Sequence, residues 1–516
     1  MTRPSYQCTV RDDGSLTPSS QCVAQTCNLV RDNIPRSARD FFSVDSSTAS
    51  SSVPKSMAAA PPERSVLSLL NGISPRLSVQ ELEVVPSARL QRLYNVKVTE
   101  GPSLLLALPP PTVMRLLRSE KSSIGSEAAV LKWLSAVARE KKTTPAPSRT
   151  TGDSSSSERT TNSLSSYLPI LVRHESTGGG LAVEYNLSRP SRGVAVSSLS
   201  KPLTHCERRI VDFQVGQLLR RISTQVSPTR RFGIAADVLS VPPSVVHDPA
   251  RRLEGGLHES RGAESWRVAF HNLMEAILRD GEDLTIMLNY NTIRRHFYRF
   301  EHLLDAVTEP RLVVLDAGED SNTLVIRPGD GANGSQAKLI SVRKTSGSPV
   351  RGERRSEDDG QAESDDEDER GEYTTSKGQV EVTGLRQWSN CIFGDPLIAS
   401  VFSKRPRPSQ DFWRGFDKPL PGDERAPTLI EDTPNAHIRL LLYECYHAVV
   451  SLVGEFYRPQ NDGGKRELAA RKHLGGVLAL LEELDDSGGQ RRRRMSGEMS
   501  PAKRPRSGEE EDDSDD

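Results

Sequence analysis

The chain has 516 residues, of which 68 are Lys or Arg and 69 are Asp or Glu, so its formal net charge is −1 at pH 7. Aromatic residues make up only 5% of the sequence, which predicts one domain of roughly 300 residues surrounded by disordered segments. No run of 18 apolar residues occurs, so we expect no transmembrane helix. The N-terminal stretch has no apolar core, so we expect no secretory signal.

The six cysteines form no CxxC pair, which predicts reduced thiols in an intracellular protein. Three of them lie in the polar N-terminal segment without an obvious fourth ligand, which argues against a zinc site. The other three lie in apolar surroundings and are Cys206, Cys391 and Cys445.

The N-terminal part of the chain divides by composition at about residue 63. Residues 1–62 are rich in Ser, Pro, Ala and Thr, which predicts a disordered leader. Residues 63–199 are expected to form a β-rich lobe. Within 90–111, "YNVKV" alternates in the manner of a strand, "EGPS" predicts a turn, and "LLLAL" is typical of a buried strand.

The rest of this lobe is predicted to hold one helix and two more strands. Apolar spacing predicts a helix over 116–142, followed by a Ser/Thr-rich disordered spacer over 143–165. Two strands, "YLPILVRHES" and "LAVEYNLS", then flank "TGGG". Because "TGGG" joins two strands and no helix, it indicates a turn and not a phosphate-binding loop. We therefore expect a five-stranded sheet over 90–190.

Beyond residue 200 the pattern is helical. Thr204 followed three residues later by Glu207 forms a capping box that opens a helix over 204–226. Further helices are predicted at 264–280, 285–306, 435–457 and 466–484. The expected fold class is α+β, with two lobes: the β-rich N-lobe and a mainly helical C-lobe over 200–485.

One stretch of the C-lobe, "VVLDAGEDSNTLVI" at 313–326, carries a concentration of polar groups between two apolar arms. It predicts a strand–loop–strand hairpin with carboxylates and Asn322 at its tip, which is one way to build a metal and phosphate site. An insert over 331–377 with the acidic centre "SEDDGQAESDDEDERGE" follows. We predict that it is disordered and that the strands on either side of it pair, since long insertions cost little closure entropy.

The C-terminal segment 486–516 is predicted to be a disordered charged tail. Its clusters "RRRR" (491–494) and "KRPR" (503–506) have the form of a bipartite nuclear-import signal. A solvated tail and a nucleic-acid-binding segment are the alternatives. Nucleic acid is disfavoured because no aromatic residues interleave the basic ones. We expect a nuclear import receptor to bind 491–506, and nuclear residence is favoured over the cytoplasm.

The order of these elements, together with "SEAAVLKWL", "EYNLS" and "VTGLRQWSNCIFGDPL", resembles the aminoglycoside/choline phosphotransferase-like family, particularly its large fungal branch. The resemblance runs from about Leu90 to Leu484. It implies a two-lobed protein-kinase-like fold, with ATP and Mg²⁺ as cofactors if the protein is active. The substrate would be a small hydroxyl- or amine-bearing molecule.

The resemblance also implies site residues, and several positions depart from the family pattern. Ala107 stands where a strand Lys would hold the nucleotide phosphates. Glu127 matches the helix Glu that pairs with that Lys, with a solvated helix residue as the alternative. Asn322 matches the metal-binding Asn, and Gln387 stands where the metal-binding Asp belongs. Asp395 of "FGDP" is expected to be structural.

The catalytic base is the remaining position. Counting five residues back from Asn322 gives Ala317, so Asp316 serves as the base only if the loop carries one extra residue. In the alternative interpretation, Asp316, Glu319 and Asp320 are polar turn residues. We expect weak nucleotide binding by a catalytically impaired kinase-like binding or scaffold protein. The alternative is an atypical ATP-dependent phosphotransferase.

Overall fold

The computed structural model describes eight stretches of the chain. They are residues 63–73, 78–85, 90–143, 164–176, 183–239, 262–327, 379–420 and 428–484. The leader, nearly all of the Ser/Thr-rich spacer, the "TGGG" turn, the acidic insert and the charged tail lie outside the described residues, as do the three N-terminal cysteines. What the sequence predicts for them stays a prediction.

The N-lobe is a single antiparallel sheet with one helix before it and one helix inside it. Its elements are α1 (Glu63–Ile73), β1 (Val79–Val85), β2 (Arg92–Val98), β3 (Leu104–Leu108), α2 (Ser123–Thr143), β4 (Ile170–Glu175) and β5 (Tyr185–Arg189). The five strands lie in the order β1-β2-β3-β5-β4. The first strand precedes the span 90–190 predicted for the sheet, and α2 begins later than the predicted residue 116.

Side chains alternate between the two faces along each strand, and each face of the sheet carries an apolar cluster. Val66, Leu70 and Ile73 of α1 form one apolar stripe that packs with residues such as Tyr94 and Leu106. The opposite face carries a smaller cluster of Leu93, Ala107 and Ile124, the last from α2. The helix α2 therefore sits against the face that carries Ala107.

The C-lobe is mainly helical. Its elements are β6 (Val194–Ala195), α3 (His205–Ser223), β7 (Gly233–Ile234), α4 (Ala235–Leu239), α5 (Trp266–Asp283), α6 (Tyr290–Phe300), β8 (Arg311–Val314), β9 (Thr323–Ile326), β10 (Glu381–Leu385), β11 (Cys391–Gly394), α7 (Ser400–Ser403), α8 (Gln410–Asp417), α9 (Ala436–Tyr457) and α10 (Gly463–Glu483). The predicted helices are present with shifted ends. A sheet lobe with a helix between its third and fourth strands, followed by a helical lobe, is the two-lobed protein-kinase-like fold that we expected.

Capping explains where two of these helices begin. The predicted capping box of α3 is present, since the Glu207 N–H donates to Thr204 Oγ1 at 3.3 Å and the Thr204 N–H donates to Glu207 Oε2 at 2.8 Å. The helix predicted from residue 285 begins only at Tyr290, because the side chain of Asn289 accepts the N–H of Thr292 at 3.3 Å and caps the first turn.

The hairpin predicted at 313–326 is wrong, because its two arms belong to different sheets. β8 pairs with β11, whereas β9 pairs with β10 and β6. The connecting loop is held instead by other segments: the Leu315 N–H donates to Asn390 O at 2.9 Å, and the Ser400 N–H donates to Leu315 O at 2.7 Å. The predicted pairing on either side of the acidic insert is confirmed, with Ile326 opposite Glu381.

Helices α3 and α8 cross in close contact at two glycines. A Cβ atom on Gly216 would lie 2.1 Å from the Phe412 carbonyl oxygen, and one on Gly415 would lie 2.0 Å from the Phe213 carbonyl oxygen. Both obstacles are backbone atoms, which cannot rotate away. Glycine is therefore required at this crossing, which fixes α8 against the helix that follows the N-lobe.

Two smaller predictions have different outcomes. Asp395 is structural as expected: it accepts the Leu397 N–H at 3.0 Å, Arg439 Nε at 2.9 Å and the Tyr443 hydroxyl at 2.9 Å. The apolar surroundings predicted for Cys206 are wrong, because this residue is exposed on α3. The two other described cysteines are buried as predicted.

No helix in the described part of the chain is long and apolar enough to span a membrane.

Candidate functional site

Three of the residues singled out by the sequence, Glu127, Asn322 and Gln387, come together where the N-lobe contacts the loops around β9 and β10. Ala107 lies near the end of β3 and is buried against Leu93 and Ile124. Its methyl group is thus part of an apolar cluster between the sheet and α2. At this position the strand supplies no cation for a phosphate group.

Glu127 of α2 is only 7% exposed, so the interpretation of it as a solvated helix residue is wrong. Its Oε1 atom accepts the backbone N–H of Trp388 at 2.9 Å, and its Oε2 atom accepts the Asn186 side-chain amide at 3.0 Å. The carboxylate therefore joins α2 to β5 and to the loop after β10. A buried carboxylate is stabilised when it accepts hydrogen bonds of this kind.

The orientation of the Asn186 amide is fixed by its neighbours. Its Nδ2 group also donates to the Ile124 carbonyl at 3.0 Å, while its Oδ1 atom lies 2.8 Å from Nδ1 of His174. The Nδ1 atom of His174 also lies 3.2 Å from the Tyr185 carbonyl oxygen, so it faces two oxygen acceptors and acts as the donor, and burial lowers the pKa of this ring. Rotating the amide would break contacts at both ends, and Asn186 therefore always presents N–H groups to Glu127.

Asn322 and Gln387 are brought together by the structure. The Gln387 N–H donates to Asn322 Oδ1 at 2.9 Å, and Asn322 Nδ2 donates to the Gln387 carbonyl at 3.2 Å. Both ends of the Asn322 side-chain amide thus bond to the backbone of one residue. The backbone carbonyl of Asn322 accepts the Arg386 N–H at 2.8 Å. The asparagine pins the segment that follows β10 to the start of β9.

The side chain of Gln387 reaches across to the N-lobe. Its Nε2 group donates to Gln91 Oε1 at 2.6 Å, and both residues are only 4% exposed. Gln91 directly precedes β2. Gln387 therefore links the two lobes through its side chain and links two C-lobe strands through its backbone. We call Gln91, Glu127, Asn186, Asn322 and Gln387, with the backbone of Trp388, the interlobe network.

These positions do not fit a Mg²⁺ site. Magnesium is bound in proteins mainly through carboxylates, waters and phosphates in octahedral geometry. The side-chain oxygen of Asn322 accepts a backbone N–H, and Gln387 offers a neutral amide that is held by Gln91. Within the described ranges there is no group of three or more His, Cys, Asp or Glu side chains placed to hold a metal ion.

The loop between β8 and β9 holds the remaining candidates. Asp316 is only 5% exposed, and its neighbour Ala317, at the position where the family resemblance expects the base, is packed in the core. Glu319 accepts from Ser400 Oγ at 2.8 Å and from Lys404 Nζ at 2.6 Å. Glu319 thus has the structural role of a turn residue.

The other acid of this loop, Asp320, and a nearby histidine, His447, also make contacts that hold the loop and its surroundings. Asp320 pairs with Arg208 of α3 at 2.7 Å, which ties the loop to that helix. His447 of α9 lies within electrostatic range of Glu319 and Lys404, and its Nε2 atom is 2.7 Å from the Ile398 carbonyl oxygen. Burial lowers the pKa of His447 to about 4. This ring is therefore a neutral hydrogen-bond donor at pH 7.

Sequence reasoning missed two members of the interlobe network. Asn186 could have been recognised, since it is a polar residue inside the apolar strand "EYNLS" and needs a buried partner. Gln91 had no local signal: it is a single glutamine ahead of a strand, and its partner lies 296 residues away.

Comparisons with known proteins give no family. No protein-family model and no curated protein matches the chain. Among solved structures, a thermostable mutant of aminoglycoside phosphotransferase APH(4)-Ia, in ternary complex with AMP-PNP and hygromycin B, is 13% identical with a TM-score of 0.41, covering 80% of this chain and 98% of that one. The GDP complex of aminoglycoside 2'-phosphotransferase-IIIa is 11% identical with a TM-score of 0.41, covering 81% and 99%. A proposed fructosamine-3-kinase from Thermobifida fusca is 13% identical with a TM-score of 0.42, covering 80% and 99%. At these values nothing about the activity of those proteins passes to this chain, whose fold is assigned from its own strand order and helices.

Proposed function

We propose that this chain is a kinase-like binding or scaffold protein, of the fungal branch of the aminoglycoside/choline phosphotransferase-like family, that does not catalyse efficient phosphoryl transfer. Phosphoryl transfer depends on positioning and on neutralising the charge of the phosphates. Three charged groups that the resemblance implies are replaced by Ala107, Ala317 and Gln387. Losing one such charge clamp typically costs about 3 kcal/mol of transition-state stabilisation.

The observation that best supports this proposal is the double engagement of Gln387. Its backbone is paired with Asn322 and its side chain with Gln91, so the residue acts as a structural link between the lobes. A metal ligand in this place would have to give up the bond to Gln91. Glu127, whose carboxylate would pair with a lysine in an active kinase, is likewise used to hold the Trp388 N–H and Asn186.

The test is a thermal-shift titration of the purified full chain with ATP, with and without Mg²⁺. We expect a small shift that Mg²⁺ does not change. The variant Gln387→Asp supplies the missing carboxylate and should introduce a Mg²⁺-dependent shift that the natural chain lacks. A large Mg²⁺-dependent shift in the natural chain would contradict the proposal.

A second candidate function is an atypical ATP-dependent phosphotransferase acting on a small hydroxyl- or amine-bearing molecule. The burial of Asp316 in the loop beside Ala317 favours it, since a buried carboxyl near the expected position is a candidate general base. In this candidate Asn322 would contact the metal, which requires it to release the Gln387 backbone. Strong Mg²⁺-dependent ATP binding would favour this function over the first.

We also propose that the charged tail directs the protein to the nucleus. The clusters at 491–494 and 503–506 are basic and separated by eight residues, an arrangement that resembles a bipartite import signal. Phosphorylation of Ser500 or Ser514 would add negative charge beside them and weaken such binding. Deleting residues 491–516 from a fluorescent fusion should move the protein to the cytoplasm, whereas an unchanged distribution would show that the clusters are a solvated tail.

A further inference from the structure

Three exposed cations near the β9–β10 pair in the chain form no ion pair with any described residue. They are Arg189 at the end of β5, Arg192 three residues later, and Lys201 ahead of α3. Within the part of the chain that the structure describes, none of their side chains contacts a carboxylate, although most other described arginines do. We call these three residues the basic rim.

Backbone contacts place Arg192 and Lys201 beside the ends of the acidic insert. Arg192 O accepts the hydroxyl of Thr383 in β10, and β6, which follows Arg192, pairs with β9. Lys201 O accepts from Arg327 Nη1 at 3.0 Å. Arg327 is the last described residue before residues 328–378, and the described chain resumes at residue 379.

The local charge balance at this place is positive. Arg327 is neutralised by Glu207, whose Oε1 atom lies 2.8 Å from Arg327 Nε. Glu381 of β10, two residues before Thr383, is exposed and forms no ion pair with another described residue. Among the described residues, the three cations of the rim thus outnumber this carboxylate, and the excess positive charge can bind an anionic group from elsewhere.

The sequence that departs from this place has the complementary charge. Residues 357–372 contain ten acidic residues and one basic residue, Arg370. Gln379 follows Glu372 by seven positions, and a chain of that length spans at most about 25 Å. The acids are therefore tethered within reach of the rim, at an effective concentration on the order of millimolar.

We propose that the acidic segment 357–372 binds the basic rim of the same chain. Each exposed pair contributes only about 0.2–1 kcal/mol, but several pairs act together on one tethered segment. Two other segments of the chain compete with this contact. They are the Lys and Arg residues within 338–355, which would draw the acids away, and the acidic end of the tail at 509–516, which would occupy the rim.

The test uses carbodiimide, which joins a lysine amine to a carboxylate in direct contact, followed by mass spectrometry of the monomeric full chain. We expect Lys201 to be joined to acids within 357–372. An internal control exists, because Lys404 Nζ lies 2.6 Å from Glu319 Oε1 and should be joined whenever the C-lobe is folded. Raising the salt to about 0.5 M should lower the Lys201 product, since exposed pairs are screened.

Paired variants make the test specific. The double change Arg189→Gln/Arg192→Gln should lower the yield of the Lys201 product roughly threefold to fivefold, as expected for loss of several exposed pairs. The double change Arg115→Gln/Arg279→Gln removes two exposed arginines that also make no described ion pair and should leave that yield unchanged. In both variants the joining of Lys404 to Glu319 should persist.

Three results would overturn the proposal. The first is joining of Lys201 to the tail at 509–516, or to no carboxylate of the insert, while the Lys404 control succeeds. The second is a yield that is unaffected by Arg189→Gln/Arg192→Gln. The third is a Lys201 product found only between two copies of the chain, which would assign the rim to an intermolecular contact.

Discussion

Replacing Glu127 by glutamine probes the interlobe network without changing side-chain volume. In the natural chain the carboxylate accepts the Trp388 N–H and the Asn186 amide. A glutamine has one oxygen and one NH₂ group, so it can accept from only one of these donors. Its NH₂ group must then face an N–H, because the Asn186 amide is held in place by Ile124 and His174.

The magnitude follows from those contacts. A buried donor left without an acceptor costs about 1–3 kcal/mol, and a charge-assisted hydrogen bond contributes about 1.5–3 kcal/mol. Neutralising the carboxylate offsets part of this loss of stability, since burying a charge has its own desolvation cost. We therefore expect Glu127→Gln to lower the free energy of unfolding by about 2 kcal/mol. Urea unfolding followed by circular dichroism measures it.

The matched control is Glu100→Gln, on an exposed turn where the side chain makes no described contact. Its effect should stay within about 0.5 kcal/mol. If Glu127→Gln is no more destabilising than this control, Glu127 does not hold the lobes together, and the structural interpretation of the interlobe network fails.

Three further predictions concern packing, pH and catalysis. Gly216→Ala should destabilise the protein by about 3 kcal/mol or more in thermal unfolding, since its Cβ would overlap the backbone of α8, whereas Gly475→Ala, with open space around its Cβ, should be neutral or stabilising. The pKa of His447 is about 4 in the folded protein and near 6.5 when unfolded, so the unfolded chain takes up the proton first and stability falls as pH falls through this window. Between pH 7 and pH 5 this contributes a loss of about 2 kcal/mol, which His447→Gln should remove from urea-unfolding curves. If any phosphotransfer is detected, Asp316→Ala should abolish it in a turnover assay while Glu319→Ala should not, and the opposite result would refute the assignment of Asp316 as base.

Local patterns in the sequence were sufficient to predict those helices, strands and turns whose determining residues lie within a few positions of one another. The capping box of Thr204 and Glu207 is spaced three residues apart, so a reader of the sequence sees both partners at once. The same is true of the strand alternation in "YNVKV" and of the turn before "LLLAL".

What could not be predicted depends on contacts between distant residues. The apolar arms at 313–315 and 323–326 were expected to pair with each other, but β8 pairs with β11 and β9 with β10, so each arm pairs with a strand that is distant in the sequence. Cys206 lies in the first turn of α3, ahead of the buried residues of that helix, which begin at Val211, and it is therefore exposed.

In the candidate site, too, the sequence identified individual residues but not the contacts between distant ones. The sequence located Glu127, Asn322 and Gln387, and it identified Ala107 as the residue at the lysine position. It could not show that Glu127 would be held by the Trp388 N–H, because those residues are 261 positions apart. The mutual engagement of the candidate ligands, which carries the functional proposal, is a property of the folded chain.

The most direct test of this account is a calorimetric titration of ATP into the full chain, performed with Mg²⁺ and again with Mg²⁺ removed by chelator. With an alanine at the lysine position and a neutral amide at the metal position, the account predicts a dissociation constant of about 1 mM or weaker that changes less than about twofold when Mg²⁺ is removed. A dissociation constant of about 10 μM or tighter that depends on Mg²⁺ would contradict it.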